Sequence, residues 1–359
     1  MTHVDNRRPP GMSETPFDFD LLTELTEERG VPGYEDRVRE VVRRELAATT
    51  DRVRTDAMGN VVATLDGDSD YSVAVAAHMD EIGFMIRNVD EDGFVQLDAL
   101  GGWDPRVLRA QRVTVHTEGG DLTGIIGSPP PHGGTDDEEP EVADVHVDMG
   151  MSEDRVDERV SVGDLVTMDQ TTERVGDLVT GKSLDDRVCV FQMLEASRRI
   201  EDPAVTIHFC ATVQEEVGLR GARALGVDVD PDLAIALDVT VANDVPDYED
   251  GEEVTELGKG AAIKLKDSSV VTNPKVNRRM RSVADERDVP YQLEVLPAGG
   301  TDTAGFQNTF GAKPVGAISI PTRYLHTVTE SAHVDDVEAA IDLLVAVLET
   351  ETGEDDYTL

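Results

Sequence analysis

The sequence predicts an α/β protein interrupted by a small β-barrel or sandwich. Three observations lead there. Helical and strand-like patterns alternate over residues 17–77. From Glu81 to about Arg174 the chain changes to short strand-like runs with turn residues every 8–12 positions, the pattern of a small all-β unit. The α/β alternation then returns from about Val179. An all-β segment inserted between two parts of one α/β domain is the simplest account: a first part at 1–85, the insert at 86–174 and a second part at 175–359.

The elements follow in order. "FDFDLLTELTEERG", 17–30, repeats its apolar residues at helical spacing and should end at Gly30. A Gly-Val-Pro-Gly break at 30–33 separates it from a second helix in "YEDRVREVVRRELAA". Residues 59–66 and 71–77 read as strands. The insert contributes "GFMIRNV", "GFVQLDAL", "QRVTVHT", "GDLTGIIG", "DVHVDM" and "GDLVTM", and its Gly-rich acidic stretch at 133–141 is expected to be an exposed turn. Beyond it the patterns give helices at 185–200, 219–225, 275–287 and 334–350, and strands at 204–213, 233–237, 291–296 and 315–320.

Composition excludes several classes. At 359 residues and 39% apolar content the chain can bury a large core. No apolar run approaches ~18 residues, so no membrane span is expected. The first twenty residues carry no hydrophobic segment, which makes the cytoplasm the expected location. There are 74 acidic against 32 basic residues, a net charge of -42, and only six of the basic residues are Lys. Such a surface repels nucleic acid and anionic membranes. Its self-repulsion is relieved where salt shortens the Debye length to about 3 Å at 1 M, so a salt-loving source is predicted. Cys189 and Cys210 sit in apolar segments and read as buried thiols, so any metal must be held by His and carboxylates.

Those residue types gather at strand exits, where open α/β sheets bind ligands. "VAVAAHMDEIGF" puts His78 and Asp80 two apart, able to share a face, with the carboxylate able to orient the imidazole. "CATVQEEVGLRGA" ends a strand with Glu215 and Glu216, which on an extended chain point to opposite faces. "LAIALDVT" puts Asp238 directly after a strand, and "PTRYLHT" puts His326 after another. "TGKSLDDRVC" puts Asp185 and Asp186 before a helix, where Asp also serves simply as a cap. Two histidines and three or four carboxylates without a thiolate suit a pair of divalent ions such as zinc, cobalt or manganese. One carboxylate would bridge the ions, and an unligated Glu would act as general base. The remaining histidines, His3, His116, His132, His146, His208 and His333, lack that context and are expected to be structural or exposed. A deacylase or carboxypeptidase with the same ion pair, a glycosidase, and a non-catalytic acidic scaffold are the rival classes.

"AAHMDEIGFMI", "GGWDPRVLRAQRV", "GSPPPH", "TGKSLDDRVC", "VQEEVGLRGA", "ALDVT", "AGGTDTAG" and "PTRYLHT" occur in order between residues 76 and 327, within a resemblance that runs from about 18 to 348. As a set they resemble the glutamyl and tetrahedral aminopeptidases. The resemblance implies a catalytic α/β sandwich with a mixed central sheet, carrying a PDZ-like dimerisation domain at 86–174. It implies two divalent metal ions held by His78, Asp185, Glu216, Asp238 and His326, with Asp185 as the bridge. It makes Glu215 the general base and Asp80 the partner of the first histidine. It also implies peptide substrates, neutral/aliphatic or broad in preference, and a tetrahedral dodecamer built from dimers. Thr303 and Thr327 depart from the family's more frequent Ala and Ser, which bears on the shape of the substrate pocket.

Overall fold

The computed structural model describes residues 17–128, 141–246, 253–309 and 311–359. All of the expected acidic turn except Glu141 therefore lies outside the described residues. In chain order, helices α1 (Phe19–Glu27) and α2 (Asp36–Ala47) lead into strands β1 (Arg52–Thr55), β2 (Val61–Leu65) and β3 (Ser69–His78). Next come β4 (Gly83–Val89), β5 (Phe94–Leu100), β6 (Gln111–Thr117), β7 (Gly120–Ile126), β8 (His146–Asp148), the short α3 (Glu153–Asp157) and β9 (Leu165–Met168). The chain continues through β10 (Glu173–Val175), β11 (Leu178–Gly181), α4 (Leu184–Arg199), β12 (Val205–Thr212), α5 (Arg220–Val229), β13 (Leu233–Val241) and β14 (Ala261–Lys266). It closes with α6 (Pro274–Glu286), β15 (Tyr291–Val295), α7 (Thr303–Gln307), β16 (Val315–Arg323), β17 (Glu330–His333) and α8 (Val334–Thr350).

Two β-structures result. The larger is a mixed sheet in the order β1-β2-β12-β3-β13-β16-β17-β11-β10, with β14 beside β16 and β15 beside β14. Its centre, β12-β3-β13-β16, is parallel, and antiparallel strands flank it. Strands covered on both faces read as unbroken aliphatic runs, which is why "VAVAA" and "LAIAL" were legible as strands. Alternate residues feed two cores. Val73, Val75 and Ala77 join the larger core, which also takes in α1, α2, α4 and α8. Ala74 and Ala76 face α5 and α7 through Ala222, Leu225 and Phe306. Small side chains on that second face let its short helices approach closely.

The smaller structure is a closed six-stranded barrel, β4-β5-β8-β7-β6-β9. It has its own core of Phe84, Val95, Leu97, Val113, Val147 and Val166, and closure leaves the strands without an open edge. Arg37 of α2 reaches Asp121 of β7 with paired bonds of 2.7 and 3.0 Å, tying the barrel to the α/β part.

Several boundaries move for identifiable reasons. Helix α1 stops at Glu27 rather than Gly30, because Glu28 turns extended at ψ 133. The buried Arg187 then donates to the carbonyls of Leu25 and Glu28, groups that a helix end leaves without partners. β13 runs on to Val241, so Asp238 lies inside the strand and not after it. β14, β10, β11 and β17 carry weak apolar signals and were not anticipated. No helix among the described residues is long and apolar enough to cross a membrane.

Candidate metal centre

Four neighbouring parallel strands present the site. β3 ends on His78, β12 ends three residues before Glu215, β13 carries Asp238, and β16 ends three residues before His326. Asp185 enters from the start of α4, where Asp185 and Asp186 have non-helical backbone angles and the regular helix begins after them. All six of these residues, Glu216 included, line one cavity of about 650 Å³.

The centre of the arrangement is the Asp185 carboxylate. One oxygen lies 3.2 Å from His78 Nε2 and the other 3.4 Å from His326 Nε2. Each imidazole is turned by its other nitrogen: His78 Nδ1 faces the Asp80 carbonyl at 3.0 Å, and His326 Nδ1 faces the Gly102 carbonyl at 2.7 Å. Nδ1–H donation to a carbonyl leaves Nε2 as a lone-pair donor aimed at the carboxylate. Around His78 the donor atoms of Asp185, Asp186 and Asp238 come within 4.8 Å of one another, and around His326 those of Asp185 and Glu216 do the same. The sequence pointed to every member except Asp186 as a ligand candidate. Its only signal there was the twin-Asp dipeptide, equally readable as a cap.

Two further carboxylates hold the backbone. Asp80 accepts from the amides of Glu215 and Glu216 at 3.0 and 3.1 Å. Its nearer oxygen stands 3.6 Å from His78 Nδ1, farther than its own carbonyl. Asp80 thus orients the imidazole through its main chain and the two glutamates through its side chain. Glu330 does the corresponding work opposite, accepting from Asp185 N at 3.0 Å and His326 N at 2.8 Å. Nothing in the local sequence marked Glu330.

The twin glutamates differ from expectation. The chain leaves the extended form after Thr212, Gln214 takes φ 56, and Gly218 N donates back to Glu215 O. Glu215 and Glu216 therefore line the same cavity instead of facing opposite sides, because strand alternation holds only while the strand lasts. The expectation for the other histidines agrees with the structure where it describes them. His116 bonds Asp121 and Thr167, His208 bonds Thr64, His333 caps α8 and His146 is exposed; His3 and His132 lie outside the described residues.

The electrostatics of the protein groups alone are unbalanced. Burial, reinforced by the Asp185 charge, pushes Glu216 up to about 8 and Glu330 to about 8. Burial with Asp186 and Asp185 raises Asp238 well above its usual range, and burial with Asp302, Glu216 and Asp80 does the same for Glu215. For His326, burial opposes the charge, but the Asp185 hydrogen bond and Glu216 raise it to about 10. Asp185 alone is lowered: burial works against it, and the hydrogen bonds of His326 and His78 prevail. The buried Asp186 Oδ1 has no hydrogen-bond partner. Crowded, buried acceptors short of positive charge are what a cation site looks like. Ligand atoms about 2.0–2.1 Å from one ion at a tetrahedral angle stand about 3.3 Å apart, close to the His–Asp185 separations here. The residues fit two divalent ions.

This fold and donor set define a class, α/β proteins with an inserted barrel and a His/carboxylate cation site at the strand exits. The profile of the M42 glutamyl aminopeptidases matches residues 59–343, and the chain belongs to that family. It is accordingly a peptide hydrolase. It is 35% identical over 347 residues to the lysyl aminopeptidase of Pyrococcus furiosus, covering 92% of this chain and 97% of that protein. Its structure superposes on aminopeptidase APDkam598 of Desulfurococcus kamchatkensis with a TM-score of 0.91 at 37% identity, over 93% and 95% of the two chains. For the Pyrococcus horikoshii TET1 peptidase, described as able to assemble into a tetrahedron or a large octahedral shell, the TM-score is 0.84 at 31% identity, covering 93% and 99%.

Proposed function

We propose that the chain is a metal-dependent aminopeptidase that removes the first residue of peptides, of neutral, aliphatic or broad preference, in a salt-adapted, self-compartmentalising assembly in the cytoplasm. The observation that carries the reading is the Asp185 carboxylate set between two imidazole Nε2 atoms, each with its own further carboxylate. His78 and Asp238 would hold one ion, His326 and Glu216 the other, with Asp185 shared; Asp186 borders the first. When bound, such ions would hold the free amine and the scissile carbonyl of the substrate and acidify the attacking water.

The protein's own groups do the rest. Glu215 lines the cavity beside His78 and Glu216. Its carboxylate takes the proton of the attacking water and delivers it to the departing amine. Asp80 fixes the main chain of Glu215 and Glu216, so the base cannot drift from the reacting carbon. Glu330 fixes Asp185 and His326 in the same way.

Assembly is supported by the shells that the TET1 relative forms. It is also supported by edge strand β15, which turns Leu293 and Val295 outward at 41% and 54% exposure. The net charge of -42 supports salt adaptation.

The test is a panel of free-amine and N-blocked amino-acid amides in molar salt, with and without chelator, then with added zinc, cobalt or manganese. Free-amine substrates alone should be cleaved, and chelator should abolish the rate. Cleavage confined to N-blocked peptides would point to a deacylase or carboxypeptidase instead. Activity indifferent to chelator would remove the two-ion reading.

A further inference from the structure

The cavity that holds the ion-binding side chains is also lined by an arrangement that the hydrolytic step does not use. Its walls include the aliphatic Leu219, Val241, Leu296 and Leu325, and Lys264 joins the lining. Lys264 is completely buried, and so is Glu294. They are direct partners in the register of the parallel pair β14–β15, and the ammonium of Lys264 donates to Glu294 Oε1. Asp267 Oδ2 stands 3.9 Å from the same ammonium.

Strand β15 is inverted to achieve this. In "YQLEV" the apolar Leu293 and Val295 face outward while Glu294 is buried. A one-residue shift of register would reverse that choice. Burying a Lys–Glu pair gains little or nothing over an apolar pair of the same volume, so stability does not account for it. Loop 267–270 is held in place: Asp267 Oδ1 takes the Ser269 and Val270 amides at 2.7 and 2.9 Å, and Ser268 Oγ donates to Gly299 O across the cavity wall. Asp267 Oδ2 and Glu294 Oε2 are buried without hydrogen-bond partners.

We propose that Glu294 is a specificity-determining residue: by claiming the Lys264 ammonium it keeps the side-chain pocket from accepting acidic first residues and reserves it for neutral ones. This rests on the aminopeptidase reading above. An unpaired Lys264 in the lining of this cavity would be a ready receptor for a substrate carboxylate. Paired with Glu294 and faced by Asp267, it adds one positive charge to two negative ones, and an acidic side chain gains nothing there. A basic side chain meets the ammonium first and is also turned away. Being fully buried, the pair is screened little by salt, so the selectivity survives the molar salt that erases surface steering.

The experiment compares kcat/KM for the α-amides of leucine, glutamate and lysine, for the full-length protein and for E294Q, K264M and K264M/E294Q, at low and molar salt. Wild type should favour leucine. E294Q, isosteric and uncharged, should raise the glutamate-to-leucine ratio about 10–150-fold, the range one charge-assisted hydrogen bond gives, mainly through KM and equally at both salt levels. The double variant should lose that gain. K264M, which removes the ammonium by another route and leaves the Glu294 and Asp267 carboxylates without it, should leave glutamate disfavoured and improve cleavage of lysine amide relative to leucine amide. If E294Q does not fold, K264M decides alone: a relative gain for glutamate amide in K264M overturns the proposal. An E294Q enzyme with an unchanged ratio, or a wild type that prefers glutamate, also overturns it. A wild type active on leucine amide confines either failure to this proposal, whereas one inactive on every free-amine amide overturns the aminopeptidase reading with it.

Discussion

Replacing Glu330 by Gln tests whether the ion site depends on its backbone supports. The carboxylate spans two amides, Asp185 N at 3.0 Å and His326 N at 2.8 Å, and is 2% exposed. Gln has one acceptor oxygen and presents an NH₂ group to the second amide, so one bond is lost and one buried N–H is left facing a donor. A hydrogen bond to a charged group is about 1.5–3 kcal/mol. If that loss falls on the residues that must converge on the ions, it is about 10–150-fold in ion affinity, in line with the 10–100-fold typical of groups that orient metal ligands. Equilibrium dialysis with zinc, and the visible spectrum of the cobalt-loaded protein, read this without reference to turnover. With ions in saturating excess the KM for leucine amide should stay near wild type, since Glu330 does not line the substrate cavity. Unchanged ion affinity together with an unchanged cobalt spectrum in E330Q would refute the reasoning, whatever the variant's melting temperature.

Four further outcomes are expected. Glu215→Gln should lose about 10²–10⁴-fold in kcat while retaining ions; a near-normal rate would remove Glu215 as the base. Asp185→Asn should abolish binding of both ions as well as activity, and full occupancy by elemental analysis would contradict its shared position. Melting temperature should climb steadily from 0.1 M to molar KCl as the Debye length falls from about 10 Å to about 3 Å, whereas a flat profile would end the salt-adaptation reading. The Arg37 hydrogen bond holds Asp121 well below the usual carboxylate range. Its stabilisation is therefore present above the unfolded value of about 3.9 and is lost as pH falls below it. Both side chains are more than a third exposed, so Asp121→Asn should cost under about 1 kcal/mol at pH 7, and the gap in melting temperature to wild type should close with acidification.

Much of the architecture was legible because local pattern and burial agree in it. The runs "VAVAA", "LAIAL" and "AISI" are aliphatic because β3, β13 and β16 are covered on both faces, and a period of two with turn punctuation marked the barrel strands. β14 escaped because "AAIKLK" hides a lysine in the core, where only a partner on another strand makes burial tolerable. For the site, strand exits pointed to His78, Glu215, Glu216 and His326, and to Asp238 even though its strand continues past it. The opposite-face argument for the two glutamates failed because the chain turns at Gln214. The Gly102 carbonyl was invisible because it acts on a residue 224 positions away, and the bond by which Glu330 ties Asp185 to the nearby His326 was invisible because it spans 145.

The sequence alone therefore determined the residue types available for chemistry, the charge of the chain and the side chains that stand at strand exits, because those follow from composition and from patterns a few residues long. Only the tertiary structure decided which imidazole faces which oxygen of Asp185, that Asp80 and Glu330 grip the backbone of their neighbours, and that Glu294 neutralises Lys264. Those are distances between residues remote in the chain, set by strand order and register, and no local pattern encodes them.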